Sequence, residues 1–99
     1  MSVKPLEIHP AALAELKSAI VWYQGRNQTA AVNFVTELDR AIDLVIDSPG
    51  RWPSGKHGTR KFVLRRFPFA ILYREKETVV QVVAVAHGHR RPGYWKDRL

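Results

Sequence analysis

The second half of the chain concentrates the residues that could do chemistry. Three fall on strands predicted to be neighbours and four follow at the end of the last predicted strand: Lys61, Arg65, Arg74, His87, His89, Arg90 and Arg91. Arginine and lysine bind phosphate groups, and histidine exchanges a proton near neutral pH. His87 and His89 are two residues apart, so they share one face of a strand, and Arg91 would continue that face. The pattern predicts a concave basic surface that binds phosphates.

These residue types would suffice for cleavage of RNA without a metal. In that reaction the 2′-hydroxyl attacks the neighbouring phosphodiester and a base accepts its proton. Cations stabilise the dianionic transition state, and an acid protonates the 5′-oxygen as its bond to phosphorus breaks. His87 or His89 could be the base or the acid, and Tyr94 could donate a proton. Arg65 and Arg90 would hold the phosphate.

Other interpretations of the same residues remain open. An imidazole at a strand end can instead hydrogen-bond a loop carbonyl. Tyr94 and Trp95 could offer surfaces on which unpaired bases stack. A zinc site on His87 and His89 lacks a convincing third ligand, and the chain has no cysteine. No glycine-rich phosphate loop or nucleophile elbow is present. With no complete set of zinc ligands and no cofactor motif, we expect neither a metal nor a cofactor.

The charge of the chain is unevenly distributed along it. Residues 1–50 carry four basic and six acidic side chains, a net charge of −2, whereas residues 51–99 carry twelve and three, a net charge of +9. The total is +7 over 99 residues. Such asymmetry indicates a polyanionic partner, either a nucleic acid or an acidic protein segment. The alternative is a basic surface that serves solubility alone.

Two helices must position this surface, with strands before and after them. Residues 3–9 read as a short strand, and Pro10 suits the first turn of a helix that ends at Gly25. A second helix covers residues 29–47, with apolar side chains at helical spacing. The short connection predicts that the two helices pack as an antiparallel hairpin.

The remaining elements are strands, at about residues 59–65, 69–74 and 79–86, the last of them apolar enough to be central. Together the elements predict one α+β domain over residues 1–99, with two layers: an N-terminal strand, a helix hairpin and a three-stranded antiparallel meander. No apolar run is long enough to cross a membrane, and no export signal is evident. We therefore expect a cytoplasmic protein with no membrane partner.

Two segments resemble the RelE/ParE superfamily, the toxins of bacterial type II toxin–antitoxin pairs, also called plasmid stabilisation proteins. They are Leu-Arg-Arg-Phe-Pro-Phe-Ala-Ile-Leu-Tyr-Arg at residues 64–74 and Val-Val-Ala-Val-Ala-His-Gly-His-Arg-Arg-Pro at residues 82–92. The resemblance covers nearly the whole chain and is most specific in the last third. It implies the same strand, helix hairpin and meander, and a cognate acidic antitoxin as partner.

The superfamily implies two activities. RelE-like members cleave mRNA in the ribosomal A site without a metal, using an arginine that corresponds to Arg65 and a C-terminal region that corresponds to His87, Arg90 and Tyr94. ParE-like members inhibit DNA gyrase and block replication. The ending Ala-His-Gly-His-Arg-Arg-Pro-Gly-Tyr-Trp is closer to ParE-like sequences, and the lysine-rich segment of some RelE-like toxins is reduced to Lys56 and Lys61.

The resemblance therefore favours a ParE-like toxin that binds DNA gyrase. A RelE-like endoribonuclease acting on ribosome-bound mRNA is the alternative, so whether the protein is an enzyme stays open, and a non-toxic basic binding module is the third. The residues expected to contact the target or nucleic acid are Lys61, Arg65, Arg74, His89, Arg91 and Trp95.

Overall fold

A computed structural model describes residues 4–99 of the chain. The strands and α-helices, in chain order, are β1 (Leu6–Ile8), α1 (Pro10–Gln24), α2 (Gln28–Asp47), β2 (Arg60–Val63), β3 (Phe69–Glu75) and β4 (Val80–His87). The element order is the predicted one. The first strand is shorter than expected, and Val3, at its predicted start, lies outside the described residues.

The helix hairpin is defined by local signals at its ends. Pro10 opens α1, and the His9 imidazole accepts a hydrogen bond from the Ala11 N–H. Asn27 caps α2, where its side-chain oxygen accepts from the Ala30 N–H at 3.1 Å. Both caps satisfy backbone donors that the first helical turn leaves without partners. The predicted boundaries of the helices are confirmed to within one residue.

The spacing of the apolar residues in α1 predicts one buried face, made of Leu13, Leu16, Ile20 and Tyr23. The last three pack against the core as predicted. Leu13 instead is 38% exposed, and Ala12 and Ala19 are buried against the sheet. Alanine side chains permit a close approach of the helix to β4, so the larger Leu13 is turned outward. Glu15, at helical spacing from both alanines, also reaches β4, where it accepts a hydrogen bond from the Val85 N–H.

The described residues build a four-stranded sheet in the order β1-β4-β3-β2. β2, β3 and β4 form the predicted antiparallel meander, and β1 pairs in parallel with β4, with Leu6 opposite Val80. β4 therefore lies between two strands, and its residues from Val80 to Val85 are buried. The predicted central position of this strand is confirmed.

Both helices pack on one face of the sheet. Phe34 and Leu38 of α2 join Ile71, Tyr73 and Val82 of the sheet in a single buried cluster. Tyr73 is fully buried, and its hydroxyl donates to a loop carbonyl, so its polar atom is satisfied. The two-layer α+β class is thus confirmed.

A β-bulge shapes the other face of the sheet. The register shifts between Leu72, which lies opposite Ala84, and Tyr73, which lies opposite Val82. Val83 is the extra residue, and it packs on the second face beside Ala84 and Leu72. Trp95, from the C-terminal segment (residues 88–99), covers this cluster. That segment forms one wall of the candidate site.

Candidate functional site

Two grooves meet where β4 ends. The helix groove, of about 550 Å³, lies between α1 and the end of β4. The sheet groove, of about 810 Å³, lies on the second face, between the loop of residues 53–59 and the C-terminal segment. The residues that line both are Pro68, Phe69, His87, Arg90 and Tyr94.

The sheet groove is strongly basic. Its lysines and arginines are Lys56, Arg60, Lys61, Arg90, Arg91 and Lys96. His57 and His87 also line it, and no aspartate or glutamate of the described chain does. An isolated bridge between Ser54 and Arg60 folds the loop back along β2. Lys56 of this loop lines the groove together with Arg91 and Lys96 of the C-terminal segment. A groove with charge of one sign raises the local concentration of anions.

Glu15 fastens the C-terminal segment to the rest of the molecule. Its carboxylate accepts hydrogen bonds from the Tyr94 hydroxyl at 2.6 Å and from the Arg98 guanidinium at 2.8 and 3.0 Å. It also accepts from the Val85 N–H at 3.1 Å, and Arg98 donates to the Val83 carbonyl. The pairing of β1 with β4 ends at Val82. The bonds to Glu15 and Arg98 therefore give hydrogen-bond partners to backbone groups of β4 that follow Val82.

Each group in this cluster has a shifted pKa. Burial alone raises the pKa of the Glu15 carboxyl, but the hydrogen bonds from Arg98, Tyr94 and the Val85 N–H outweigh it and lower the pKa below its ordinary value. Burial, together with the hydrogen bond to Glu15, raises the pKa of Tyr94 to about 12. The Tyr94 proton is therefore held on its oxygen and directed at Glu15.

Three of the four candidate catalytic residues converge at the junction of the grooves. The Arg90 guanidinium carbon lies 3.9 Å from the centroid of the Tyr94 ring, a cation–π contact. His87 lines the same junction, with its ring edge-on to Phe69 at 5.1 Å. This arrangement can hold an anion between a guanidinium and an imidazole.

His87 and His89 lie together, although a turn rather than a continuing strand brings them there. Their rings stack at 5.0 Å with an interplanar angle of 22°. The His89 N–H donates to Nδ1 of His87 at 3.1 Å, which makes that nitrogen an acceptor and leaves the proton of a neutral His87 on Nε2. His89 is exposed and lines neither groove.

Arg65 does not lie on the strand to which its spacing assigned it. β2 ends at Val63, and Arg65 falls in the bend that leads into β3. The backbone N–H groups of Arg65 and Arg66 both donate to the carboxylate of Glu37 on α2, and Arg66 adds an ion pair at 3.2 Å. Because this carboxylate holds the bend against α2, Arg65 lines neither groove.

Comparison with known proteins identifies the family. The family model described as the ParE toxin of the type II toxin–antitoxin system parDE matches residues 6–92. The chain belongs to the ParE toxin family. It is therefore a toxin of a type II toxin–antitoxin system.

Solved structures support the fold of this ParE-family chain. A structure titled as a chromosomal ParDE toxin–antitoxin system from P. aeruginosa matches with a TM-score of 0.75 and 20% identity, over 86% of this chain and 96% of that one. A mutant of the E. coli toxin RelE in the free state matches with a TM-score of 0.59 and 19% identity, over 89% and 86%. No curated protein sequence matches significantly.

Two further predicted contact residues of the ParE-family chain offer little or no surface to the grooves. Arg74 donates to the side chain of Gln81 at 2.8 Å, which in turn donates to Glu7, and it lines neither groove. Trp95 borders the sheet groove but is only 7% exposed, because its ring packs on Leu72 and Val83. It therefore presents little surface for a stacked base.

The sequence reasoning missed Glu15, Arg60 and Lys96. A carboxylate between Ala12 and Ala19, at helical spacing on the small-residue face of α1, is the signal that could have indicated Glu15. Arg60 and Lys96 carry no comparable signal, since their proximity depends on the folded loop and the C-terminal segment.

The described residues contain neither a metal-binding cluster nor a membrane-spanning helix. Within residues 4–99, no group of three or more histidine, aspartate and glutamate side chains is arranged to hold a metal ion. No helix of this part of the chain is both long and apolar enough to cross a bilayer.

Proposed function

We propose that this ParE-family toxin acts by binding its target rather than by catalysis, that it inhibits DNA gyrase and so blocks replication, and that a cognate acidic antitoxin neutralises it. The observation that carries the proposal is the commitment of Tyr94 to Glu15. The basic sheet groove and the C-terminal segment are the proposed contact surface for the target.

The energetics of the Tyr94 proton argue against a nuclease. A tyrosine with a pKa of about 12 keeps its proton at neutral pH, as an acid must. However, to donate that proton to a leaving oxygen, Tyr94 would have to abandon the half-buried Glu15 carboxylate. Arg65, the proposed phosphate ligand, lies in the bend held by Glu37. This geometry favours a toxin that acts by binding over a nuclease.

A RelE-like ribonuclease remains the second candidate because His87 and Arg90 converge in a basic groove. The variant His87→Gln separates the two functions. Glutamine preserves size and hydrogen bonding but cannot exchange a proton, so a ribonuclease would lose about a hundredfold in rate. For a toxin that acts by binding, we expect His87→Gln to arrest growth as the parent does.

The measurement is incorporation of labelled nucleotides and amino acids after induction without antitoxin. We expect DNA synthesis to stop first, with protein synthesis continuing, in both the parent and His87→Gln. Thermal melting controls for folding. Early loss of translation in the parent, absent from a folded His87→Gln, would instead establish the ribonuclease, and unaffected synthesis of both polymers would indicate a non-toxic module.

The proposed antitoxin must complement a chain of net charge +7. We expect its toxin-binding tail to be acidic, and disordered before it binds. The test is co-purification of a tagged toxin with the product of the adjacent gene, followed by washes of rising ionic strength. A toxin that elutes alone at low salt, from cells that express both genes, would contradict the pairing.

A further inference from the structure

We propose that the sheet groove binds the phosphodiester backbone of nucleic acid, and of duplex DNA in particular. The inference rests on the proposed function and extends it. The toxin would contact DNA through this groove, in addition to its protein target. The proposal rests on the charge of the groove, the way its two walls are held, and the state of its aromatic rings.

The cations of the groove are not neutralised within the protein. Among the described residues, none of its six lysines and arginines forms an ion pair. The carboxylates that do form ion pairs are Glu15, Glu37 and Glu75, and their partners lie outside the groove. Cations held together in this way repel one another, and a row of phosphates would relieve that repulsion.

The two walls of the groove are held in place before any ligand binds. On one side, the Arg60 guanidinium donates to the Trp52 carbonyl at 2.6 Å, which holds the start of β2 against the preceding loop. On the other, Trp95 packs on the sheet, and the bonds from Tyr94 and Arg98 to Glu15 fix the C-terminal segment. Cations arranged before binding lose less conformational freedom when a ligand arrives.

The aromatic rings of the groove distinguish duplex from single-stranded nucleic acid. Proteins that hold single strands stack the bases on exposed aromatic side chains. Here Trp95 is buried in the sheet face, and the Tyr94 ring is covered by Arg90 at 3.9 Å, with Arg98 at 5.1 Å. His87 is stacked on His89. Of the remaining rings in the groove, Phe69 is half-buried and His57 is exposed. The groove thus offers more charge than stacking surface, which favours a duplex backbone.

The expected binding is electrostatic and independent of sequence. A groove that neutralises about four phosphates gives a slope near −3.6 in a plot of log affinity against log salt concentration. Removal of each cation that contacts a phosphate should reduce the magnitude of that slope by about 0.9. Binding should be measurable at low salt and largely lost at high salt.

The test titrates purified full-length toxin, without antitoxin or gyrase, into a fluorescein-labelled duplex of about 20 base pairs and records anisotropy at several salt concentrations. The groove variant combines Lys61→Ala, Arg91→Ala and Lys96→Ala, three exposed side chains. We expect its affinity at low salt to fall by at least tenfold. The magnitude of its salt slope should become smaller by about 2 to 3.

The matched control removes the same charge elsewhere. Lys17→Ala, Arg40→Ala and Lys76→Ala replace exposed cations on α1, α2 and the turn between β3 and β4. We expect this variant to lose less than about threefold in affinity. Equal losses in the two triple variants, or a parent that does not bind the duplex at low salt, would overturn the proposal. Circular dichroism confirms that both variants fold.

A second arm uses a single-stranded RNA of the same length. Tighter binding of the RNA than of the duplex would overturn the assignment to duplex DNA. The outcome is separable from that of the proposed function. Replication arrest by a toxin that does not bind DNA removes only this inference, whereas DNA binding by a toxin that leaves replication intact removes only gyrase inhibition.

Discussion

Replacement of Trp95 by alanine is expected to lower the free energy of unfolding by about 3–5 kcal/mol. The indole is 7% exposed and covers Leu72, Val83 and Ala84 on the second face of the sheet. The substitution removes that contact and opens a cavity that this face of the sheet cannot refill. Since small domains are stable by only about 5–15 kcal/mol, the loss would consume a large share of the total.

Urea denaturation followed by circular dichroism measures the effect, with Trp22→Ala as control. Trp22 is 55% exposed and contacts Arg26 through a cation–π interaction, so its removal should cost below about 1 kcal/mol. A Trp95→Ala protein as stable as the parent would show that Trp95 is not a core residue, and would restore the expectation that it contacts the target.

Glu15→Ala is the second substitution with a large expected effect, a loss of about 2–4 kcal/mol. It leaves the Tyr94 hydroxyl, the Val85 N–H and the Arg98 guanidinium without their acceptor. The side chains of Glu15 and Arg98 are 16% and 17% exposed. Water can therefore solvate part of the charge that the substitution leaves unpaired, and the loss of stability stays below that for a fully buried ion pair.

The cost of Glu15→Ala should depend on pH. The hydrogen bonds lower the folded-state pKa of Glu15 below its ordinary value of 4.5. The stabilisation is therefore present above that ordinary pKa and is lost as the pH falls through the folded-state pKa. The difference in unfolding free energy between parent and variant should be largest at neutral pH and shrink as the pH falls below 4.5.

The control for this measurement is Asp43→Ala, which removes an exposed carboxylate from α2. Its effect should be below about 0.5 kcal/mol at every pH. A loss from Glu15→Ala that is constant between neutral and acid pH would show that the carboxylate charge contributes nothing and that only packing was removed.

The sequence alone determined those elements whose signals are local. Pro10 and Asn27 define the starts of the helices because caps and proline act on the neighbouring turn. The apolar residues of β4 predicted a central strand because such a segment must bury both faces. The resemblance in the last third of the chain indicated the family that the match over residues 6–92 establishes.

The tertiary structure decided which of the candidate residues meet. Arg65 and His87 look like parts of one site in the sequence, yet Glu37 holds Arg65 in the bend outside both grooves. Trp95 looks like an exposed aromatic, yet it is buried on the sheet face that carries Val83, the extra residue of the bulge. Neither outcome follows from spacing, because each depends on partners distant in the chain.

Glu15 shows most clearly why the spacing of residues in the sequence could not predict these contacts. It lies 79 residues from Tyr94 and 83 from Arg98, and no local pattern relates the three. The half-buried carboxylate must find donors, and the free edge of β4 must find an acceptor, so one cluster satisfies both requirements. Local chemistry determined the helices and strands, whereas the need to satisfy buried polar groups across the fold decided where the basic residues of the C-terminal segment lie.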